Sequence, residues 1–160
     1  DAPIVRVMPN TPATIGKGVS CLIANKFTKE EQIKLVEILF AAVGKTIRLD
    51  DERQMDIVTA ISGSGPAYIF YLIEVITQSG AELGLDPELA RELAELTVSG
   101  AGQLAEESDL TAEQLRENVT SPKGTTQAAL DVLMDPHEGF LPVIQKAVLA
   151  ASNRSKELGY

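Results

Sequence analysis

Two hydroxyl-rich segments are the parts of this 160-residue sequence whose residue types could do chemistry. The first is residues 62–68, with the sequence SGSGPAY, which places Ser62 and Ser64 in front of an apolar helix that starts at Pro66. Proline is favoured at a helix start because its missing N–H has no helical partner there. We therefore expect hydroxyls and free N–H groups at the mouth of this helix. A plain helix–helix corner would also explain the glycines, but it would not require both serines.

The second segment is residues 118–126, with the sequence NVTSPKGTT, between two predicted helices. A proline ends the first helix, Gly124 permits an unusual backbone angle, and Thr125 and Thr126 occupy the first turn of the next helix. A helix start offers unpaired N–H groups and the positive end of the helix dipole, and Lys123 adds an ammonium group. The segment thus predicts a site for a small anion such as a carboxylate. The alternative is an N-cap loop with surplus hydroxyls.

Other kinds of active site are excluded by what the sequence lacks. His137 is the one histidine and lies in a predicted turn, and Cys21 is the one cysteine, so neither a Ser/His/Asp triad nor a metal site is expected. Residues 100–105, GAGQLA, fit the dinucleotide fingerprint G-x-G-x-x-A. They fall inside a predicted helix, however, instead of the strand-to-helix turn that the fingerprint requires, so close helix packing explains them better. Any reaction would therefore take its reactivity from a bound cofactor.

The charge and hydropathy of the chain exclude two classes of partner. Fourteen Lys and Arg against 23 Asp and Glu give a net charge of −9, which argues against nucleic acids and anionic membrane surfaces. The most apolar segment, residues 67–76, is interrupted by Glu74 and falls short of the roughly 18 apolar residues of a membrane span. We expect a soluble, cytoplasmic chain without a nucleic-acid or membrane partner. Because it enters a strand at once, we also expect the front of a longer protein to precede it.

The predicted elements that position these segments change in type near residue 52. Three β-rich runs predict strands, at residues 4–8, 19–23 and 46–49. Before the third strand, Thr28 and Glu31 form a capping box for a helix, with Gly44 placed as its left-handed stop. This β-β-α-β piece cannot close its own sheet, because it leaves an edge and a face unprotected.

From residue 53 onward the sequence predicts only helices. They cover residues 64–83, the region from 86 to about 104, and residues 111–119, 125–134 and 140–158. Asp86 before Pro87 predicts an N-cap for the second helix, and Thr111 with Gln114 predicts a cap for the third. The first is apolar almost all round, and the second carries an apolar stripe, formed by Leu89, Leu93, Leu96, Gly100 and Leu104. A small bundle cannot bury so much apolar surface alone. The sequence therefore predicts a homodimer or a higher homo-oligomer.

Three segments, residues 6–12 (RVMPNTP), 62–68 and 118–126, resemble in order and spacing those of the pyrroline-5-carboxylate reductase family. The resemblance covers essentially the whole chain. That family reduces the cyclic imine 1-pyrroline-5-carboxylate to L-proline with NADPH or NADH, the last step of proline biosynthesis. The resemblance implies a mainly α fold. Residues 1–52 would be the β-β-α-β end of an NAD(P)-binding Rossmann domain. Residues 53–160 would be an all-helical dimerisation and substrate-binding domain, like the C-terminal domain of 6-phosphogluconate dehydrogenase.

The resemblance also implies roles for particular residues. The cofactor would be held mainly by a preceding N-terminal region, with contacts in this chain from Met8, Pro9, Asn10, Thr11 and Asn118. The substrate, a small molecule, would be bound by Ser62, Ser64, Ser121, Lys123, Gly124, Thr125 and Thr126. Thr126 would be catalytic, because its hydroxyl would hydrogen-bond to the ring nitrogen that gains a proton when hydride arrives at carbon. The family usually has two glycines at Lys123-Gly124, so the lysine either strengthens carboxylate binding or points to solvent.

Two other functions stay open at this point. A non-catalytic helical dimerisation module would use the loop of residues 121–126 only structurally. β-Hydroxyacid and ketol-acid reductases pair similar domains, but they generally rely on a catalytic lysine or acidic metal ligands, which are not in place here. We expect this chain to be inactive alone, because hydride transfer needs the cofactor held in position and the pyrophosphate-binding turn is absent. Residues that select NADPH or NADH would lie upstream.

Overall fold

The computed structural model describes residues 2–159, which form a mainly helical structure with one small sheet. The strands are β1 (Val5–Met8), β2 (Gly18–Ala24) and β3 (Gly44–Arg48). The helices are α1 (Glu30–Ala41), α2 (Met55–Val58), α3 (Gly65–Glu82), α4 (Pro87–Glu107), α5 (Ala112–Asn118), α6 (Thr125–Leu133) and α7 (Phe140–Leu158). There are also 3-10 turns at Thr11–Ile15 and Glu52–Gln54 and a π turn at Thr59–Gly63. The predicted mainly α fold with a β-β-α-β front is confirmed.

The chain forms two compact units. One contains the residues up to 67 together with those from 146 onward, and the other contains residues 68–145. The sheet belongs to the first unit and has the order β1-β2-β3, with β1 antiparallel and β3 parallel to β2. Leu22 of β2 and Met55 of α2 are fully buried in this unit. Toward the end of α7, the Ser155 hydroxyl donates to the Asp56 carboxylate at 2.6 Å.

The predicted ends of α1 are wrong at both positions. Thr28 does not cap the helix, because its hydroxyl lies 3.0 Å from the Ile4 carbonyl oxygen and joins the strand region instead. The helix begins at Glu30, and Gln32 accepts the Lys29 N–H at 2.9 Å. At the other end α1 stops at Ala41, before Gly44.

Gly44 is needed for strand pairing and does not stop the helix. It is the first residue of β3, has a φ of 147°, and lies opposite Gly18 of β2. A Cβ on Gly44 would lie 1.9 Å from the Gly18 carbonyl oxygen. Since backbone atoms cannot move out of the way, the two strands pair only because this position carries no side chain.

α3 begins at Gly65, so the predicted helix start at Pro66 is confirmed to within one residue, and a π turn precedes it in place of a loop. The π turn Thr59–Gly63 leads from α2 into α3, and the Ser64 N–H donates to the Thr59 carbonyl at 2.8 Å. The resulting segment, Glu52–Glu82, is long and apolar enough to cross a membrane, which the sequence analysis did not expect. Length and composition alone are weak support for a membrane span, because core helices of soluble proteins also meet both criteria.

Helix α4 packs inside its unit through small residues and not through its leucines. Asp86 caps its start by accepting the N–H groups of Glu88 and Leu89 at 3.0 and 3.2 Å, as the sequence predicted. The buried residues are Ala90 and Ala94. The leucines of the predicted stripe are exposed in the single chain, with Leu96 63% exposed. The predicted stripe is therefore apolar, and its leucines stay exposed among residues 2–159.

Candidate functional site

The first group of candidate residues lies at the carboxyl end of β1. Met8 ends the strand and is followed by Pro9 and Asn10, and Thr11 begins the 3-10 turn. The Asn10 Oδ1 atom accepts the Val19 N–H at 2.9 Å, and its Nδ2 donates to the Ser62 carbonyl at 3.2 Å. The structure thus brings together two predicted site residues that are 52 positions apart.

Ser62 and Ser64 lie at the end of the π turn and are both half-buried. The Ser62 hydroxyl donates to the Val58 carbonyl at 3.0 Å, and Thr59 makes the same kind of bond to the Met55 carbonyl at 2.8 Å. Such side-chain bonds to the preceding turn are common for serine and threonine inside helices. The Ser62 hydroxyl is therefore engaged as a donor, and its oxygen can still accept a hydrogen bond.

The second group lies between α5 and α6, in the other unit. Asn118 is the last residue of α5, whose predicted cap is confirmed: Thr111 and Gln114 each accept the backbone N–H of the other, at 3.2 and 2.9 Å. Ser121 is exposed, and its carbonyl accepts the Gly124 N–H at 3.0 Å, which closes a tight turn. This turn fixes the path of the chain into α6.

The unusual backbone angle in this turn belongs to Lys123 and not to Gly124. Lys123 has a φ of 61°, in the left-handed region, whereas Gly124 is extended at −83°. Glycine is still favoured at 124, because a Cβ there would lie 3.0 Å from the Ser121 carbonyl oxygen. Gly124 is therefore favoured for its close approach to Ser121 and not for an unusual backbone angle.

The start of α6 offers a set of hydrogen-bond donors. The first bond of the helix runs from the Ala128 N–H to the Gly124 carbonyl at 3.2 Å, so the N–H groups of the first turn have no partner within the helix. Thr125 is exposed and Thr126 is half-buried. Neither hydroxyl makes a hydrogen bond to another part of the chain that the structure describes. With the ammonium group of Lys123 next to it, this helix start suits a carboxylate.

A polar groove of about 420 Å³ between α5 and α6 was missed by the sequence analysis. It is lined by Arg116, Glu117, Thr120, Gln127, Leu130, Asp131 and Met134. The Arg116 guanidinium donates to the Met134 sulfur, and Gln127 donates to the Asp131 carboxylate at 2.7 Å. These residues come together only because the two helices fold back on each other, so no local sequence pattern indicated the groove.

The histidine and the cysteine lie outside both groups of candidate residues. His137 is exposed in a turn, where the Asp135 carboxylate accepts the N–H groups of Glu138 and His137, which lower the pKa of Asp135. Burial raises the pKa of the Cys21 thiol, which disfavours the nucleophilic thiolate. Residues 2–159 contain no cluster of three or more His, Cys, Asp or Glu that could hold a metal ion.

Comparison with known proteins agrees with this architecture. Residues 52–158 match the family model described as pyrroline-5-carboxylate reductase dimerisation. The chain is 46% identical over 156 residues to a pyrroline-5-carboxylate reductase of Pseudomonas aeruginosa, covering 98% of this chain and 56% of that protein. It is 43% identical over 159 residues to one of Synechocystis, covering 99% and 58%.

Solved structures give the same result. A pyrroline-5-carboxylate reductase of Coxiella burnetii matches with a TM-score of 0.93 and 43% identity, over 98% of this chain and 57% of that one. The Plasmodium falciparum pyrroline carboxylate reductase, solved with NADP bound, matches with a TM-score of 0.89 and 36% identity, over 100% and 63%.

Fold and comparisons together define a helical dimerisation domain that follows the end of an α/β sheet. The chain belongs to the pyrroline-5-carboxylate reductase family, as the three sequence segments predicted. It spans somewhat more than half the length of the curated relatives that it matches.

Proposed function

We propose that this chain is the C-terminal part of a reductase that converts the imine of 1-pyrroline-5-carboxylate to the amine of L-proline. The observation that carries the proposal is the 46% identity to a reductase of that name over 98% of the chain. In this proposal residues 1–52 complete an NAD(P)-binding Rossmann domain, and residues 53–160 supply dimerisation and substrate binding.

NADPH or NADH would supply the hydride that adds to the imine carbon. The residues of this chain that would contact it are Met8, Pro9, Asn10 and Thr11, at the carboxyl end of β1, and Asn118. Asn10 can hydrogen-bond to such a cofactor, because its carboxamide has one N–H and one lone pair left after its bonds to Val19 and Ser62. Such a group can hold a carboxamide or a ribose hydroxyl in a fixed orientation.

The substrate carboxylate would be bound at the start of α6. The unpaired N–H groups after Gly124, the Thr125 hydroxyl and the Lys123 ammonium favour a negative charge there, and Ser121 lies across the same turn. Thr126 would hold the ring nitrogen, which becomes more basic as hydride arrives at the neighbouring carbon. Because its hydroxyl is not engaged within the described chain, no existing bond has to break first. Ser62 and Ser64 would line the pocket.

The assembly would be a soluble homodimer or a larger homo-oligomer in the cytoplasm. Large apolar side chains of α3 and α4 are exposed in the single chain, among them Phe70 at 57% and Leu96 at 63%. A second copy would cover these faces, and this explains the apolar Glu52–Glu82 segment without a membrane.

Thr126→Val in the full-length protein tests the proposal. The valine keeps the branched shape but loses the hydroxyl, so a bond that strengthens in the transition state is lost. A loss of about 1–3 kcal/mol predicts a kcat/KM for the imine that is roughly 5- to 150-fold lower. Steady-state imine reduction measures the rate, and thermal melting measures the folded fraction.

Thr111→Val is the matched control, because it removes a threonine hydroxyl that caps α5 away from the proposed site. It is expected to cost about 1 kcal/mol of stability and to keep kcat/KM. Wild-type kcat/KM in Thr126→Val would contradict the role of Thr126. A full-length protein that does not reduce the imine at all would favour the alternative, a non-catalytic dimerisation module.

A further inference from the structure

The Asn10 side chain connects the corner after β1 to the π turn before α3. Its Oδ1 atom accepts the Val19 N–H at 2.9 Å, which fixes the carboxamide to β2. Its Nδ2 atom donates to the Ser62 carbonyl at 3.2 Å. Both bonds lie within one compact unit and are partly buried, so water competes with them only in part.

The Ser62 carbonyl is available for this bond because of Pro66. In a regular helix that carbonyl would accept the N–H of residue 66, four positions later, but proline has no N–H. The next amide along the chain, that of Ala67, donates to the Ser64 carbonyl at 3.0 Å. Asn10 therefore supplies a donor to a carbonyl that the sequence of the π turn leaves without its usual one.

A second contact lies at the same junction. A Cβ built on Gly63 would lie 2.7 Å from the Cε atom of Met8, so the Met8 side chain lies directly against the backbone of the π turn. Met8 and Asn10 flank the corner after β1, and both meet the same short stretch of the π turn. The corner and the turn are thus held in one fixed arrangement by a polar and an apolar contact.

We propose that Asn10 is a positioning residue that sets the place of the corner after β1 relative to Ser62 and Ser64. The inference rests on the proposed function, in which the corner contacts the nicotinamide end of the cofactor and the serines line the substrate pocket. Hydride transfer needs the donor and acceptor carbons within a narrow range of distances, and a misplacement of about 1 Å can cost roughly 100-fold in rate. Asn10 acts here through the backbone of residue 62.

Asn10→Asp in the full-length protein is the test. Aspartate keeps an oxygen for the Val19 N–H, but it loses the donor and places a second oxygen opposite the Ser62 carbonyl. We expect the single-turnover rate of hydride transfer to fall about 10- to 100-fold. Affinity for NADPH or NADH, measured by fluorescence, is expected to fall by a smaller factor than the transfer rate, because the other cofactor contacts of the corner remain. Amide hydrogen exchange of residues 59–67, which needs no activity, is expected to become faster.

Two further variants keep the test decisive if Asn10→Asp folds poorly. Gly63→Ala leaves Asn10 intact and pushes the Met8 side chain away from the π turn, so it should cause a smaller change of the same kind. Asn25→Asp is the matched control. The Asn25 carboxamide donates to the Ala2 carbonyl and accepts the N–H groups of Ile4 and Phe27, so it bridges backbone groups next to the same sheet but makes no hydrogen bond to the π turn. It should lower the melting temperature and leave both hydride transfer and exchange at residues 59–67 unchanged.

The outcomes separate the two proposals. An inactive wild-type protein would overturn the proposed function. Unchanged exchange at residues 59–67 in Asn10→Asp would overturn the positioning role, whatever the activity. The role would also be overturned if Asn10→Asp weakened cofactor affinity at an unchanged transfer rate, because Asn10 would then be a cofactor contact alone.

Discussion

Lys123 adopts a backbone conformation that favours glycine, and this makes a prediction about stability. Its φ of 61° lies in the left-handed region, where the Cβ of an L-residue is too close to the neighbouring carbonyl oxygen. Lys123→Gly and Lys123→Ala both remove the long side chain and its charge. They differ only in whether a Cβ remains, so their difference in stability isolates the backbone effect.

The size of this difference follows from two opposing terms. The left-handed conformation costs an L-residue about 1–2 kcal/mol, and this cost persists in Lys123→Ala. Glycine avoids it but loses about 0.5–1 kcal/mol more conformational entropy on folding. With both terms at the middle of their ranges, Lys123→Gly should be more stable than Lys123→Ala by about 0.75 kcal/mol. For a protein of about 150–250 residues that corresponds to a melting temperature about 1.5–3 °C higher.

Thermal and denaturant unfolding of the full-length variants measure this difference, at one fixed protein concentration because association contributes to stability. Lys123→Gln tests the charge separately, because it keeps the Cβ and most of the side chain but loses the ammonium group. If that group helps to bind the substrate carboxylate, KM for the imine should rise about two- to fivefold, as expected for a charge at a helix end. A Lys123→Ala protein as stable as Lys123→Gly would refute the reasoning about the backbone.

Two other predictions concern a surface ion pair and the assembly. Arg48 donates to Glu30 and Glu37 at 2.9 and 2.7 Å and holds the pKa of both carboxyls below their usual value of 4.5. The two ion pairs therefore contribute stability at a pH above 4.5, and this contribution is lost as the pH falls below 4.5. Arg48→Met should lower the melting temperature more at pH 7 than at pH 3. An effect of the substitution that does not change with pH would contradict this. If the proposed dimer forms through α4, Leu96→Glu should convert it to a monomer at micromolar concentration by light scattering, whereas Glu92→Gln should not. A wild-type monomer would count decisively against the proposed dimer.

The parts of the fold that the sequence predicted correctly are those determined by neighbouring residues. Asp86 caps α4 through N–H groups two and three positions ahead. The pair Thr111 and Gln114 closes the start of α5 in the same local way. α7 was predicted with its observed bounds, Phe140–Leu158. In each case the physical cause, a cap or an apolar period, lies within a few residues of its effect.

The errors arose where a distant residue decides the local structure. Thr28 has the right type and spacing for a cap, yet its hydroxyl bonds to Ile4, 24 positions earlier. Gly44 follows a helix as a stop would, yet the Gly18 carbonyl on the neighbouring strand determines its role. The local sequence is the same whether these residues end a helix or contact a strand. Only the pairing of the strands shows that they contact a strand.

The candidate site shows the same limit. The sequence identified the turn before α6 and its hydroxyls, but it assigned the left-handed conformation to Gly124 because glycine tolerates it best. In the structure Gly124 is needed for its close approach to Ser121, and Lys123 takes the left-handed angle. Likewise the types of Asn10 and Ser62 marked both as site residues. Their hydrogen bond depends on Pro66 and on a contact 52 positions apart, which no local pattern reports.

In helix α4, the face that packs within the chain is not the apolar leucine stripe. Within the single chain the helix buries Ala90 and Ala94, and a Cβ on Gly80 of α3 would lie only 3.2 Å from that of Ala90. Small residues allow this close approach of two helices and leave the larger leucines on the outside. In the proposed dimer those leucines would form the core between subunits, and the stripe would then be a face that a second chain buries. Folding and association would then be coupled, and the stability of the protein should rise with its concentration.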